Sequence, residues 1–165
     1  PGPADQWDGR DAAIGVSVLL TVPTQPRAFV IGCRGHVSSD RNSWHVAPSG
    51  MLELHDVPDP IADTVATELV EELGIEIAAG QVAERMTVLG LVHDLLRLKP
   101  DIVVRLDLTD DEVPEQFEAV SEFSELAFIP VERDAVAAFW ATQDPARLTP
   151  AAAGAIALLE RFLPS

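Results

Sequence analysis

Apolar residues fall into two kinds of run along the chain, some continuous and some spaced by three and four positions, and their order sets the expected fold. Residues 12–22 (AAIGVSVLLTV) and 27–33 (RAFVIGC) are dense in Val, Ile and Leu. They are separated by VPTQP, so they read as two strands joined by a proline-bearing turn. The polar stretch 35–43 is a loop of turn formers, 44–47 a short strand, and Pro48, Ser49 and Gly50 a break. Within 60–73, Ile61, Val65, Leu69 and Leu73 recur every four residues, the stripe of an amphipathic helix. Asp59 is placed to cap it, Pro60 suits its first position and Gly74 its stop. Residues 86–93 and 102–108 predict a second strand pair across the connection 95–101, and 110–122 is acidic and irregular. A short strand at 126–130 and helices at 132–140 and 150–163 follow, the last capped by Thr149 with Pro150 just inside. With no repeat or heptad, this order predicts an α/β unit whose helices pack on a mixed sheet.

Composition narrows the function classes. The 165 residues suit one domain, expected over 12–165, with 1–11 a flexible leader that has no apolar period. Eleven basic against 27 acidic residues give a net charge of -16, which repels a polyphosphate backbone, so no nucleic-acid partner is expected. The single cysteine, Cys33, excludes an intrachain disulfide and a Cys-rich zinc module, and it fits a reducing, cytoplasmic address. No apolar run approaches the ~20 residues that span a bilayer, and Asp5, Asp8 and Asp11 stand where a secretory segment carries bases, so neither membrane nor export is expected.

The candidate chemistry lies in the helix of residues 60–73. At about 100° per residue, Glu68, Glu71 and Glu72 fall within one arc of roughly 100°, where like charges repel each other and face the unfavourable end of the helix dipole. A solvated acidic face is the plain alternative. A hard divalent cation, Mg²⁺ or Mn²⁺, would remove both penalties, since oxygen-only ligands select such ions and bridge them to phosphates.

The segment upstream sharpens the choice. Pro48, Ser49, Gly50, Met51, Leu52 and Glu53, followed after a loop by E-x-x-E-E-x-G-I, resemble the Nudix hydrolase signature, in which Gly, five residues, Glu and seven residues precede R-E-U-x-E-E-x-G-U with U apolar. Gly50 matches the opening glycine and Glu53 an acidic residue frequent just after it. Glu68, Leu69, Glu71, Glu72, Gly74 and Ile75 match the helical half. There are two departures. The arginine before the first helical glutamate is Thr67, so the cation that usually orients the glutamates is missing. The loop 54–60 is longer by three residues, with Asp56 or Asp59 in place of the middle glutamate.

The resemblance implies a Nudix-like α/β/α sandwich with a central mixed β-sheet over most of residues 12–163. It also implies a Mg²⁺- or Mn²⁺-dependent hydrolase that cleaves the diphosphate linkage of a nucleoside diphosphate derivative or another small organic diphosphate. Glu68, Glu71 and Glu72 would hold the metal, with Glu68 and Glu72 catalytic and Glu68 best set to orient or deprotonate the water. Gly50 and Glu53 would position substrate. A distal base would come from Glu118, Glu122 or Glu125, with Glu122 foremost. Among the scarce cations, Arg34 and Arg41 are the first choices for phosphate, ahead of Arg97, Lys99 and Arg105. Trp44 and Cys33 read as core residues. His36, His45, His55 and His93 have no zinc spacing and read as structural or solvated, with His55 in the lengthened loop able to reach substrate. Two other readings stand beside this one. Thr67 favours a non-catalytic Nudix-like module for ligand or protein binding, and an apolar pocket would favour a non-nucleotide, prenyl or biosynthetic diphosphate. A homodimer rests only on the analogy with relatives.

Overall fold

The computed structural model describes residues 13–35, 41–54, 56–95, 99–115, 117 and 122–163. The leader 1–11, His36, His55, Arg97 and Glu118 lie outside the described residues. Strand β1 (Gly15–Val22) is buried along its whole length, as its unbroken apolar run requires of a strand covered on both faces. β6 (Lys99–Asp107) pairs parallel to it from Gly15↔Asp101 to Thr21↔Asp107, and β5 (Thr87–Asp94) pairs antiparallel to β6. On its other edge β1 meets β2 (Ala28–Arg34) only at Thr21↔Phe29 and Val22↔Ala28. The two strands then part, and the segment that follows β2 fills the gap between them. β3 (Trp44–Val46) pairs with β2, β4 (Ser49–Met51) pairs with β1 through Val16↔Gly50 and Ser17↔Ser49, and β7 (Phe123–Pro130) takes the far edge of β2.

Helix α1 (Pro60–Leu73) and α2 (Ala79–Arg85) cover one face, and α3 (Arg133–Thr142) and α4 (Pro150–Glu160) the other. The alternation of β1 sorts its side chains between the layers. Val16, Val18, Leu20 and Val22 pack with Val65, Leu69 and Leu73 of α1, while Leu19 packs with Ile156 and Leu159 of α4. The expected sandwich on a mixed sheet is therefore the observed one.

Several elements differ from the sequence reading, the last helix among them, which ends at Glu160 and not at residue 163. Residues 48–50 belong to a break only in part, because Ser49 and Gly50 find partners on β1, a pairing that composition does not announce. The connection 95–101 is shorter, since β6 starts at Lys99, and β7 begins at Phe123, three residues before the expected strand. α2 has no counterpart in the hydrophobic pattern; it is seven residues long and buries only Val82, too little to make an apolar stripe. The central helix is as expected. The Asp59 carboxylate accepts from the N–H groups of Ile61 and Ala62, both at 3.1 Å, and Gly74 closes the helix in the left-handed region at φ 67°.

Candidate functional site

The last two turns of α1 face β4, and the helix periodicity distributes the three glutamates across a gradient of burial. Glu72 lies three residues beyond Leu69 on the core-facing stripe and is 2% exposed. Glu68 is half-buried and Glu71 exposed. The buried backbone N–H of Ser49 donates to Glu72 Oε2 at 2.9 Å, which ties the carboxylate to β4. Gly50 lies against the carboxyl end of Glu68, where an added Cβ would come 1.8 Å from Oε1 and 2.2 Å from Cδ. A glycine is needed there for close approach rather than for an unusual backbone angle.

Burial and mutual repulsion act on the carboxyl groups of this wall. Burial, then the neighbouring charges of Glu71, Glu122 and Glu53, push Glu68 up to about 7. Burial also pushes Glu72 up to about 8, with the Glu68 and Glu122 charges adding to it, while the Ser49 N–H and the Arg34 charge act the other way. Two carboxyl groups that ordinarily ionise near 4.5 thus retain protons close to neutrality.

Opposite α1, a cleft of about 300 Å³ is bounded by Arg34, His45, Lys99, Asp101 and Glu122, with Glu68 and Glu71 on the helix side. A second hollow of about 180 Å³ lies on the other side of Glu68 and Glu71, with Glu53, Asp63 and Thr67 on its rim. Arg34, at the end of β2, donates from Nη2 to Ser49 Oγ at 3.4 Å and stands 3.8 Å from Glu122 Oε2. Asp101 is buried on β6 and accepts from Ser17 Oγ at 3.5 Å; burial raises its carboxyl above the ordinary range, against the Lys99 charge and the Ser17 hydrogen bond. Buried His45 has its Nδ1 2.6 Å from Thr149 Oγ1, the hydroxyl that also accepts from the N–H of Ala152 at the start of α4.

Glu68, Glu71, Gly50, Arg34 and Glu122 are therefore gathered at one cleft, with Glu72 behind Glu68 and Glu53 at the neighbouring hollow. Arg41 is not among them. It is exposed on the turn before β3 and does not line the cleft, because the chain reverses between β2 and β3 and leaves only Arg34 at the strand end. Arg105 is also removed, since both of its donating nitrogens are 3.0 Å from the Asp107 carboxylate. Glu125 is exposed on β7, His93 is exposed on β5, Cys33 is buried and Trp44 packs on the α4 side. Sequence reasoning missed Asp101 and gave His45 no part. A lone Asp opening an apolar strand was the available signal for the first, and nothing local marked the second. Among the described residues no three His, Cys, Asp or Glu side chains converge as a cage for a metal ion, and no described helix is long and apolar enough to cross a membrane.

The fold has counterparts among solved structures. The chain is 20% identical to a MutT/nudix family protein from Enterococcus faecalis, with a TM-score of 0.56 over 74% of this chain and 45% of that one. It is 18% identical to a bifunctional NMN adenylyltransferase/ADP ribose pyrophosphatase from Francisella tularensis, solved with AMP and a Mn ion, with a TM-score of 0.63 over 92% of this chain and 42% of that one. A MutT protein from Methanosarcina mazei Go1 is 20% identical, with a TM-score of 0.63 over 92% of each chain. The chain thus spans less than half the length of the first two. No protein-family model and no curated protein matches it. At these identities the likeness establishes the fold, which is the Nudix fold.

Proposed function

We propose that this chain is a divalent-metal-dependent, Nudix-type pyrophosphohydrolase that cleaves the diphosphate linkage of a nucleoside diphosphate derivative or another small organic diphosphate. One observation carries the reading. Glu68 lines a cleft with Glu72 buried behind it, the two raised to about 7 and about 8 by burial and by other carboxylates, and Arg34 and Lys99 are the described cations on the lining. A protein that concentrates carboxylates in a partly desolvated cleft accepts a cost in stability, and such costs cluster at functional sites.

The donor set fits Mg²⁺ or Mn²⁺. It is made of carboxylate oxygens, which suit an ion that keeps several waters and takes one or two carboxylates plus the phosphate oxygens of a substrate. Glu68 and Glu71, which line the cleft, would hold it, with Glu72 behind them anchored on the Ser49 N–H. Such an ion neutralises phosphate oxygens and makes bound water more acidic. The chain's own residues supply the rest. Gly50 lets Glu68 approach β4, Glu53 stands at the rim, Lys99 would meet the phosphates, and Glu122, which lines the cleft with Arg34 and Glu68, would accept a proton from water. The Francisella relative, solved with AMP and Mn, supports a nucleotide-like substrate and a metal, and the lone cysteine supports a cytoplasmic setting. The exposed, uncharged Thr67 favours the second reading, a binding module on the same cleft.

The test is phosphate or pyrophosphate release from nucleotide sugars, dinucleotides, nucleoside triphosphates and prenyl diphosphates in Mg²⁺ and in Mn²⁺, with wild type beside Glu68→Gln and Glu72→Gln. Metal-dependent turnover that disappears in both variants supports the hydrolase and names its class. No turnover on the whole panel, in a chain that binds one of these compounds, supports the binding module.

A further inference from the structure

We propose that Arg34 is the positioning cation of this cleft: its guanidinium holds the Glu122 carboxylate on one side and the Ser49–Glu72 contact on the other, fixing the two acidic walls relative to each other. The inference rests on the hydrolase reading for its kinetic consequence, but its geometry stands apart. Helix α1 carries Asp63, Glu68, Glu71 and Glu72 and no basic residue, so any cation that organises its carboxylates must come from another element. β2 supplies it. The Arg34 N–H donates to the Ser43 carbonyl at 2.8 Å and its carbonyl accepts from the N–H of Asn42 at 2.9 Å, so its backbone is fixed on both sides.

The β2–β7 pairing brings Glu122 to the same place. Cys33 pairs with Glu125 and Arg34 with Phe123, with a shift of register between them, and the N–H of Gly35 donates to the Glu122 carbonyl at 2.7 Å. Ser124 Oγ donates to the Cys33 carbonyl at 3.2 Å. The irregularity lies where the arginine has to turn toward the cleft, as expected of a bulge that re-aims a side chain.

One nitrogen then serves two elements. Arg34 Nη2 is 3.4 Å from Ser49 Oγ and 3.8 Å from Glu122 Oε2, and Ser49 donates its own N–H to Glu72. The arginine side chain is 18% exposed, so its charge acts in a partly desolvated place where fields reach further than in water. Lys99 reaches the cleft from β6, on the other wall, and remains as a point charge for phosphate.

The experiment measures thermal midpoints without metal, and kcat and KM with metal on the best substrate of the panel, for wild type, Arg34→Gln, Arg34→Lys, Glu122→Gln and the double variant Arg34→Gln/Glu122→Gln. The expected result is a kcat about 100-fold lower in Arg34→Gln with KM changed less than about threefold, the signature of lost alignment rather than lost binding. Arg34→Lys recovers kcat to within about tenfold of wild type, because single-nitrogen contacts at 3.4 and 3.8 Å ask for charge more than for a planar fork. The double variant's Tm loss falls short of the sum of the single losses by about 2 °C. Additive midpoints, or a KM raised about tenfold with kcat unchanged, would overturn the proposal and make Arg34 a substrate ligand only. If the panel yields no turnover, the hydrolase reading falls by itself; a non-additive thermal cycle then still supports the link between Arg34 and Glu122, and an additive one still overturns it.

Discussion

The parallel pair β1/β6 runs between two groups of carboxylates that solve the same electrostatic problem in opposite ways. At the end where Thr21 meets Asp107, Asp107 and Glu112 are each held by several donors. Arg85 grips Glu112 with two nitrogens at 2.5 and 2.8 Å and reaches the Asp107 carbonyl at 2.5 Å, and the Thr109 N–H adds a third bond to Glu112. Arg85 is the main reason that Glu112 is pushed down to about 2. Asp107 would be raised by burial, but the Thr21 hydroxyl and Arg105 bring it below its ordinary value, with Arg27 3.4 Å away. At the other end, where Gly15 meets Asp101, carboxyl groups rise instead. A chain with only eleven basic residues places three arginines where they close ion pairs at this end, and among the described residues Arg34 and Lys99 face Glu68, Glu71, Asp101 and Glu122 at the cleft. The contrast separates acids closed into ion pairs from acids that the proposed function assigns to a ligand.

Substitutions at the two ends should therefore divide between turnover and stability. The largest effect is predicted for Glu68→Gln, which lowers metal-dependent turnover on the order of 10²–10⁴-fold while leaving the thermal midpoint close to wild type, as read by steady-state rates beside a melt. Gly50→Ala follows. Its methyl group collides with the flexible end of Glu68 rather than with backbone, so the fold persists, and a displacement of about 1 Å costs about 100-fold in rate.

Glu72→Gln addresses the pH response of the cleft end. Glu72 ionises near 4.5 when unfolded and at about 8 when folded, so the folded state binds more protons between these values and wild-type stability falls as pH rises through that window. The glutamine variant lacks this slope and is more stable than wild type by about 2–3 kcal/mol at pH 9, measured by denaturant titration across pH. At the Asp107 end the sign reverses. Glu112 is lower in the folded state, so its contribution is complete above 4.5 and is lost as pH falls toward 2. Arg85→Gln is predicted to cost about 1–2 kcal/mol at pH 7, a Tm loss of about 3–6 °C that shrinks toward pH 2, with turnover unchanged.

How much of this was legible in the sequence depended on how local the cause was. The caps of α1, its apolar stripe and the shared face of its glutamates follow from residues within a few turns of one another, and all were readable. Even the gradient of burial was implicit, since Glu72 sits three residues after Leu69. Non-local causes stayed hidden. Three residues containing a glycine become β4 only because β1 and β2 part and leave an edge free to pair. Arg34 and Arg41 are both close in sequence to the signature, and only the reversal of chain between β2 and β3 puts one in the cleft and the other in solvent. Lys99 and Asp101 entered the cleft because β6 begins earlier than its β-branched run, in register with Gly15. Thr67 shows the limit of motif reading: the missing charge is visible in sequence, but the contact of Arg34 with Ser49, whose N–H holds Glu72, appears only in three dimensions.

The proposed function depends on carboxylates beside β4 that retain protons, which a divalent ion would displace. Calorimetric titration of Mn²⁺ into the metal-free chain at pH 7, in two buffers of different ionisation enthalpy, counts those protons directly. The predicted result is a binding event that releases about one proton per ion and is lost in Glu68→Gln. Absence of binding at millimolar Mn²⁺, or binding that releases no proton and survives that substitution, would contradict it.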